Sequence, residues 1–501
     1  MENNRSAFTL LGMAVLLGIA ADLLLRQTPW GINLPLWMSS LVVTLYLYAE
    51  RYRGLLPAGG RWILIALVIV PWFMAWRDSP MLAALTIWLI LVGCGALVVR
   101  TTSGKLYLAG LMEFVLGTIV AGVNVIVGIP VLLFGDVRWN SLAPAGGARR
   151  ALALTRGIII ATPVIILFGA LFSSADAVFH SFVRYVFDFD IEALILHGIW
   201  IGFFAWIAGG YLRGLNTTTP LVTPQPPGQK LSLGIVEIGT VLGLLNVLFL
   251  IFVIIQVGYL FGGAPHVQLT PGLTYAEYAR RGFFELVVVS ALVLPLLLMG
   301  HYLLRKVEQR GEFIFRLLAG TLIVLLFVVM ISAVQRMLVY VEQFGLTELR
   351  FYTTAFMGWL GLVFLIFVLT VLRGRRGYFA FATLLSGFAA VACLYVLNPD
   401  GHIAEVNLNR LKAGRSFDPA YVALLSDDAV PRLVAALPEI DEPARIDLRT
   451  LLLRHHGSRK EADWRSWNFS RQQARTAMST LMVSQPVFRT TPDTRQRSGG
   501  Q

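Results

Sequence analysis

Asp176 and His180 stand four residues apart in "SSADAVFHSFVRY" (173–185), a spacing that puts both side chains on one face of a helix. His402 and Glu405, three apart in "NPDGHIAEVNLNR" (398–410), can share a face in the same way. Imidazole and carboxylate are ligands that Zn²⁺ accepts. "TYAEYARRGFFEL" (274–286) adds Glu277 and Arg280, and "RMLVYVEQFGLTELRFY" (336–352) adds Arg350. The sequence therefore offers one candidate polar cluster: Asp176, His180, Glu277, Arg280, Arg350 and His402. Its chemistry depends on the fold bringing four separate segments together. No segment carries His-Glu-x-x-His or another self-sufficient metal signature. From residue types and spacing alone, no catalytic residue, metal ligand or cofactor is assigned.

A second set lies deeper in apolar sequence: Asp22, Glu113, His197, Glu237 and Asn246. A charged side chain at mid-bilayer costs about 2.5–3.5 kcal/mol on insertion scales, so such a residue is neutral, paired or facing a wet cavity. Asp22 and Glu237 are close to span ends, where the interface is within reach. Glu113 is the sharpest transport-type candidate, because its segment is rich in glycine and broken helices line binding cavities. Glu237 and Asn246 complete the intramembrane candidates. Other chemistries fail on inspection. "TTSGKL" lacks the first glycine of a phosphate loop, and neither a Gly-x-Ser-x-Gly elbow nor a dinucleotide fingerprint occurs.

The elements that must position these groups are membrane spans. Only 14% of the 501 residues are charged, 56% are hydrophobic, and the mean hydropathy is +0.70; a soluble domain carries roughly 25% charged residues. Apolar runs long enough to cross a bilayer fall near 8–25, 31–49, 62–76, 81–99, 157–172, 193–212, 231–261, 283–304, 317–335, 353–372 and 377–397. The first is read as a retained helix rather than a signal peptide. A further run, 106–134, contains Gly110, Gly117, Gly122, Gly128 and Pro130. It is expected to be a broken helix or a re-entrant pair. If it does not cross, the loop arginines and lysines concentrate on one side, as cytoplasmic loops require. The expectation is an all-α polytopic transmembrane helical bundle of eleven spans (twelve if 106–134 crosses), N-terminus cytoplasmic, with a small α-helical C-terminal tail outside.

Cys94 and Cys393 lie inside spans, which argues against a disulfide framework or a structural zinc site. The net charge of +12 comes from arginines spread among loop ends. It reads as membrane anchoring, and no nucleic-acid partner is expected. Thr274 and Glu277 fit a capping box, so that helix begins at the water–lipid boundary with Tyr275 and Tyr278 at the interface.

"QVGYLFGG", "GLTYAEYARRGFFEL", "AVQRMLVYVEQFGLTELR" and "LNPDGHIAEVNLNR…FDPAYVALLSDDAVPRL" resemble a family of bacterial multi-pass membrane proteins known only as a domain of unknown function. The resemblance covers about 230 to 470 well and the first half through hydropathy. It implies a bacterial inner-membrane location and no catalytic residue.

The membrane part is expected to span 1–397, divided by the Thr- and Pro-rich loop "LNTTTPLVTPQPPGQK" (215–230, bounded by Arg213). The tail, 398–501, shows apolar spacings of three and four, the mark of amphipathic helices, and its last dozen residues read as disordered. Trp464 and Trp467 share a face and suit the lipid bilayer or a membrane or envelope protein partner. The expected function is that of a non-enzymatic envelope component, transporter-like or a scaffold or sensor, working through outer loops and tail. The alternative is a membrane-embedded enzyme with an extracytoplasmic polar or metal site.

Overall fold

The computed structural model describes residues 2–52, 56–99, 105–137, 191–216, 233–267, 283–304, 309–457 and 463–483, with scattered positions between 154 and 181. Within these residues the protein is helical, and its only β pairing consists of two isolated bridges, Ala58 to Lys105 and Leu233 to Leu304. The helices are α1 (Glu2–Leu25), α2 (Asn33–Arg51), α3 (Gly60–Trp72), α4 (Pro80–Val98), α5 (Leu111–Val131), α6 (Ile191–Asn216), α7 (Ile235–Val267), α8 (Phe283–Leu303), α9 (Gln309–Phe344), α10 (Glu348–Thr370) and α11 (Gly377–Leu397). The tail supplies α12 (Pro399–Lys412), α13 (Pro419–Ala423), α14 (Val430–Ala436), α15 (Ala444–His456) and α16 (Phe469–Val483).

Among the described residues, nine helices are long and apolar enough to cross a membrane: α1 and α4 to α11. The protein is a multi-pass membrane protein on that basis. The expected runs 31–49 and 62–76 form α2 and α3, outside those nine. α3 is a shorter apolar helix extended by one tight turn, Phe73–Ala75. The loop 217–230, the Thr274 capping box and the last dozen residues lie outside the described residues.

Two apolar cores fill the membrane part. One gathers α1 to α6 and α11 around Leu10, Trp37, Leu67, Leu97 and Phe388; the other gathers α7 to α10 around Leu242, Leu297, Leu322 and Phe364. Small residues let helices approach closely in the first core. A Cβ at Gly128 on α5 would lie 2.6 Å from the Gly210 Cα on α6, and one at Gly209 would lie 2.8 Å from the Ala14 Cβ on α1. Helices α1 and α6 run antiparallel, Asp22 meeting His197 at one end while Ala14 meets Gly209 further along.

The segment 106–134 departs from the expected broken helix. One tight turn, Leu106–Leu108, precedes an uninterrupted α5, whose last turn widens to π geometry over Leu132–Asp136. Pro130 has no N–H to give to the Ile126 carbonyl one turn back. The Trp206 indole donates to that carbonyl instead, at 3.1 Å. Near its start, Gly117 packs on Val99 and Gly95 at the end of α4; at its finish, Asp136 accepts from Arg213 at 2.6 Å near the end of α6. Both partners belong to the end of the bundle opposite the tail.

The tail helices enclose their own core, with Ile403, Val430, Leu433, Leu448, Leu452 and Met478 nearly or fully buried. Caps define their starts. Asn398, in left-handed conformation at φ 51°, accepts from the Gly401 amide ahead of Pro399, and Asp418 accepts from the Tyr421 amide ahead of Pro419.

Candidate functional site

The tail grips the bundle in two places, one on each membrane core. On the second core it holds the loop between α9 and α10. Arg410 donates to the Glu342 and Gln343 carbonyls at 3.2 and 2.6 Å, and Arg415 donates to the Glu342 carbonyl at 2.6 Å. These satisfy carbonyls that a helix C-terminus leaves open, and cationic charge suits that end of the dipole. Asn407 pairs with the Leu346 backbone, accepting at 3.2 Å and donating at 2.8 Å. Gly345 takes φ 81°, and a Cβ there would run into the Asn407 and Arg410 side chains. Glycine is required twice over.

On the first core the grip is tighter. Asn468 donates to the Met74 and Arg77 carbonyls at 2.7 and 2.9 Å. Arg471 pairs with Asp78 at 2.5 Å and donates to the Trp30 and Pro29 carbonyls at 2.9 and 3.2 Å. Backbone amides also cross: Ile32 donates to the Trp467 carbonyl at 3.0 Å, and Ser470 to the Trp76 carbonyl at 3.2 Å. A Cβ on Gly31 would lie 2.8 Å from the Ser466 carbonyl oxygen.

Behind this contact lies a buried polar seam. Asp428 accepts from the Asp78 amide at 2.9 Å, pairs with Arg77 at 3.5 Å and accepts from the Ser470 hydroxyl. Ser426 donates to Asp400, which is fully buried with one carboxylate oxygen unpartnered among the described residues. Burial pushes the Asp400 carboxyl up to about 6; the Ser426 hydrogen bond offsets part of this, and Glu348 and Asp428 add to it. His456 sits between Asp427, at 2.9 Å, and the Ala423 carbonyl, at 3.1 Å, with burial holding its imidazole below the ordinary value.

A second polar group lies between α1 and α6, at the same end. His197 Nδ1 is 2.5 Å from Asp22 Oδ2, and Arg26 Nη1 is 2.6 Å from His197 Nε2. Asp22 is 5% exposed and its other oxygen has no partner among the described residues; the His197 side chain is 44% exposed. The tail reaches this corner too, Arg465 donating to the Leu23 carbonyl at 2.9 Å.

Most sequence candidates take other roles. Asp176 accepts from the Val178 and Phe179 amides at 2.7 and 2.9 Å, a local cap. Arg350 lies 4.1 Å over the Tyr340 ring and donates to the Gly345 carbonyl. The His402 ring is 6.0 Å from that of Phe351. His180, Glu277 and Arg280 lie outside the described residues. Glu113 is in the first turn of α5, accepting from the Gly110 amide at 2.9 Å. Glu237 is exposed in the first turn of α7. Asn246 bridges helices, donating to the Leu242 and Leu318 carbonyls at 2.8 and 3.0 Å. No group of three His, Cys, Asp or Glu among the described residues is placed to hold a metal.

Sequence reasoning noted Asp22 and His197 separately and missed their pairing. It missed Asn468 and Arg471 altogether. The usable signal was an arginine and an asparagine three apart beside the tail tryptophans.

A family model described as a domain of unknown function (DUF4153) matches residues 62–436. The chain belongs to that family. No curated protein and no solved structure matches it.

Proposed function

We propose that this member of the DUF4153 family is a non-enzymatic scaffold or sensor of the bacterial cell envelope. Its C-terminal domain would tie the two membrane cores together at their extracytoplasmic end. The observation that carries this reading is the double grip: Arg410, Arg415 and Asn407 on the α9–α10 loop, and Asn468 and Arg471 on the loops around Pro29, Trp30 and Arg77. Buried charge pairs add little net stability but can fix one arrangement against others. A domain held this way transmits a change in one core to the other.

The sidedness in this proposal rests on α1. The tail meets the C-terminal end of that helix at the Leu23 carbonyl, which favours a tail on the face opposite the N-terminus. The arginine distribution favours a cytoplasmic N-terminus, with the tail outside. Trp464, 64% exposed, with exposed Trp467 and Phe469 beside it, suits the bilayer surface or an envelope partner.

The transporter reading is disfavoured because its candidate residues are occupied locally. Glu113 caps its own helix, Glu237 sits at a helix start and Asn246 joins two helices. Cysteine scanning along α5 and α7 with a membrane-impermeant thiol reagent, in a Cys94→Ala, Cys393→Ala background, separates the two. A scaffold labels only at helix ends. A continuous labelled stripe through the bundle would establish a wet path and sink the proposal.

A further inference from the structure

We infer that Arg26 and His197, oriented by the buried Asp22, form a binding site for the phosphate of an anionic phospholipid in the leaflet at the tail end of the bundle. The hydrogen-bond chain has a direction. An ionised Asp22 can only accept, so His197 donates from Nδ1, which leaves Nε2 to accept from Arg26. This is how a buried carboxylate fixes the tautomer and ring plane of a histidine whose other edge does the binding. The outward edge is where exposure lies, since the His197 side chain is 44% exposed and Arg26 is partly exposed.

Among the described residues, the side-chain partner of Arg26 is His197, a weak acceptor, with Nε2 at 2.6 Å and Nδ1 at 3.2 Å. A guanidinium carries five donors in a planar fork that matches a phosphate. An anionic oxygen at this rim would therefore be a better acceptor than the imidazole. Without one, most donors of this rim cation have no partner among the described residues.

The surroundings fit a lipid rather than a soluble anion. Leu16, Ile19 and Leu23 on α1 and Leu194 on α6 are exposed beside the cluster, at 67%, 39%, 59% and 59%. They give acyl chains an apolar surface leading away from Arg26. Arg26 follows the last residue of α1, the headgroup level, where long basic side chains are expected to reach. Arg465 adds positive charge from the tail, although its donors are engaged by Asp463 at 2.6 Å and by the Leu23 carbonyl. Basic pockets between spanning helices are the form that headgroup recognition takes.

The test is native mass spectrometry of the full-length protein in mild detergent, titrated with phosphatidylglycerol or phosphatidylcholine. The wild type should retain phosphatidylglycerol about tenfold better than phosphatidylcholine, and Arg26→Gln and His197→Gln should each reduce that retention about tenfold. Arg51→Gln, at the opposite end of α2, should leave it unchanged. Arg26→Lys, which keeps charge without the fork, should fall between wild type and Arg26→Gln and shows that the fold tolerates change there. Equal retention by wild type, Arg26→Gln and His197→Gln would overturn the site. Displacement of the lipid by inorganic phosphate at equal concentration would overturn the lipid assignment in favour of a soluble phosphate.

Discussion

The seam beneath the tail and the cluster between α1 and α6 use the same chemistry at the same end of the bundle, yet they are finished differently. At the seam, Asp78, Asp428, Asn468 and Arg471 all find protein partners, and Asn468 is fully buried. Between α1 and α6, Asp22 is buried but His197 and Arg26 reach the rim. Closed polar networks specify one docked geometry; an open one keeps binding capacity in reserve. The first reads as a fastening and the second as a receptor.

The sharpest way to break this contrast is to remove a charge from the closed side. Arg471→Ala removes the ion pair to the 14%-exposed Asp78 side chain and the donor to the Trp30 carbonyl. Breaking such a pair costs about 3–5 kcal/mol. Limited proteolysis should then release the tail while the bundle stays intact.

The next effect is pH-dependent. The Asp400 carboxyl is raised to about 6 in the folded chain, against about 3.9 unfolded. The folded state holds its proton over that interval while the unfolded state releases it, so stability falls as pH rises from about 4 to about 6, by roughly 3 kcal/mol. Asp400→Asn should remove that slope, read as the difference between wild-type and variant melting temperatures at pH 4.5 and 7.5.

Steric intrusion comes third. Gly31→Ala drives a methyl toward the Ser466 and Trp467 carbonyls and should cost about 1–3 kcal/mol, the usual range for overpacking. Urea-induced release of the tail should report it. The smallest effect belongs to the open side. Arg26→Gln touches a partly exposed group, whose contribution to stability is within about 1 kcal/mol, and the melting temperature of the delipidated protein should barely move. A large loss there would make the two clusters alike and remove the contrast.

The sequence made the helices legible because bilayer-length apolar runs need no tertiary information. It also held the cap of α5, since Glu113 stands three residues after Gly110 as a capping glutamate does. The pairing of Asp22 with His197 was not legible. The residues lie 175 apart, and only the packing of α1 on α6 through Gly18 and Gly209 brings them together. Arg471 was equally hidden, because an arginine on an amphipathic helix reads as solvated until its helix has a neighbour.

Hydrogen exchange at Ile32 and Ser470, in full-length protein held in lipid nanodiscs, tests the tail's grip on the first core most directly. Both amides donate across the seam, to the Trp467 and Trp76 carbonyls. A docked tail protects the two equally, and Arg471→Ala should expose them together while Leu10 and Leu67 in the bundle core stay protected. Fast exchange at both positions in the wild type, or no response to Arg471→Ala, would contradict a tail fastened to the membrane domain.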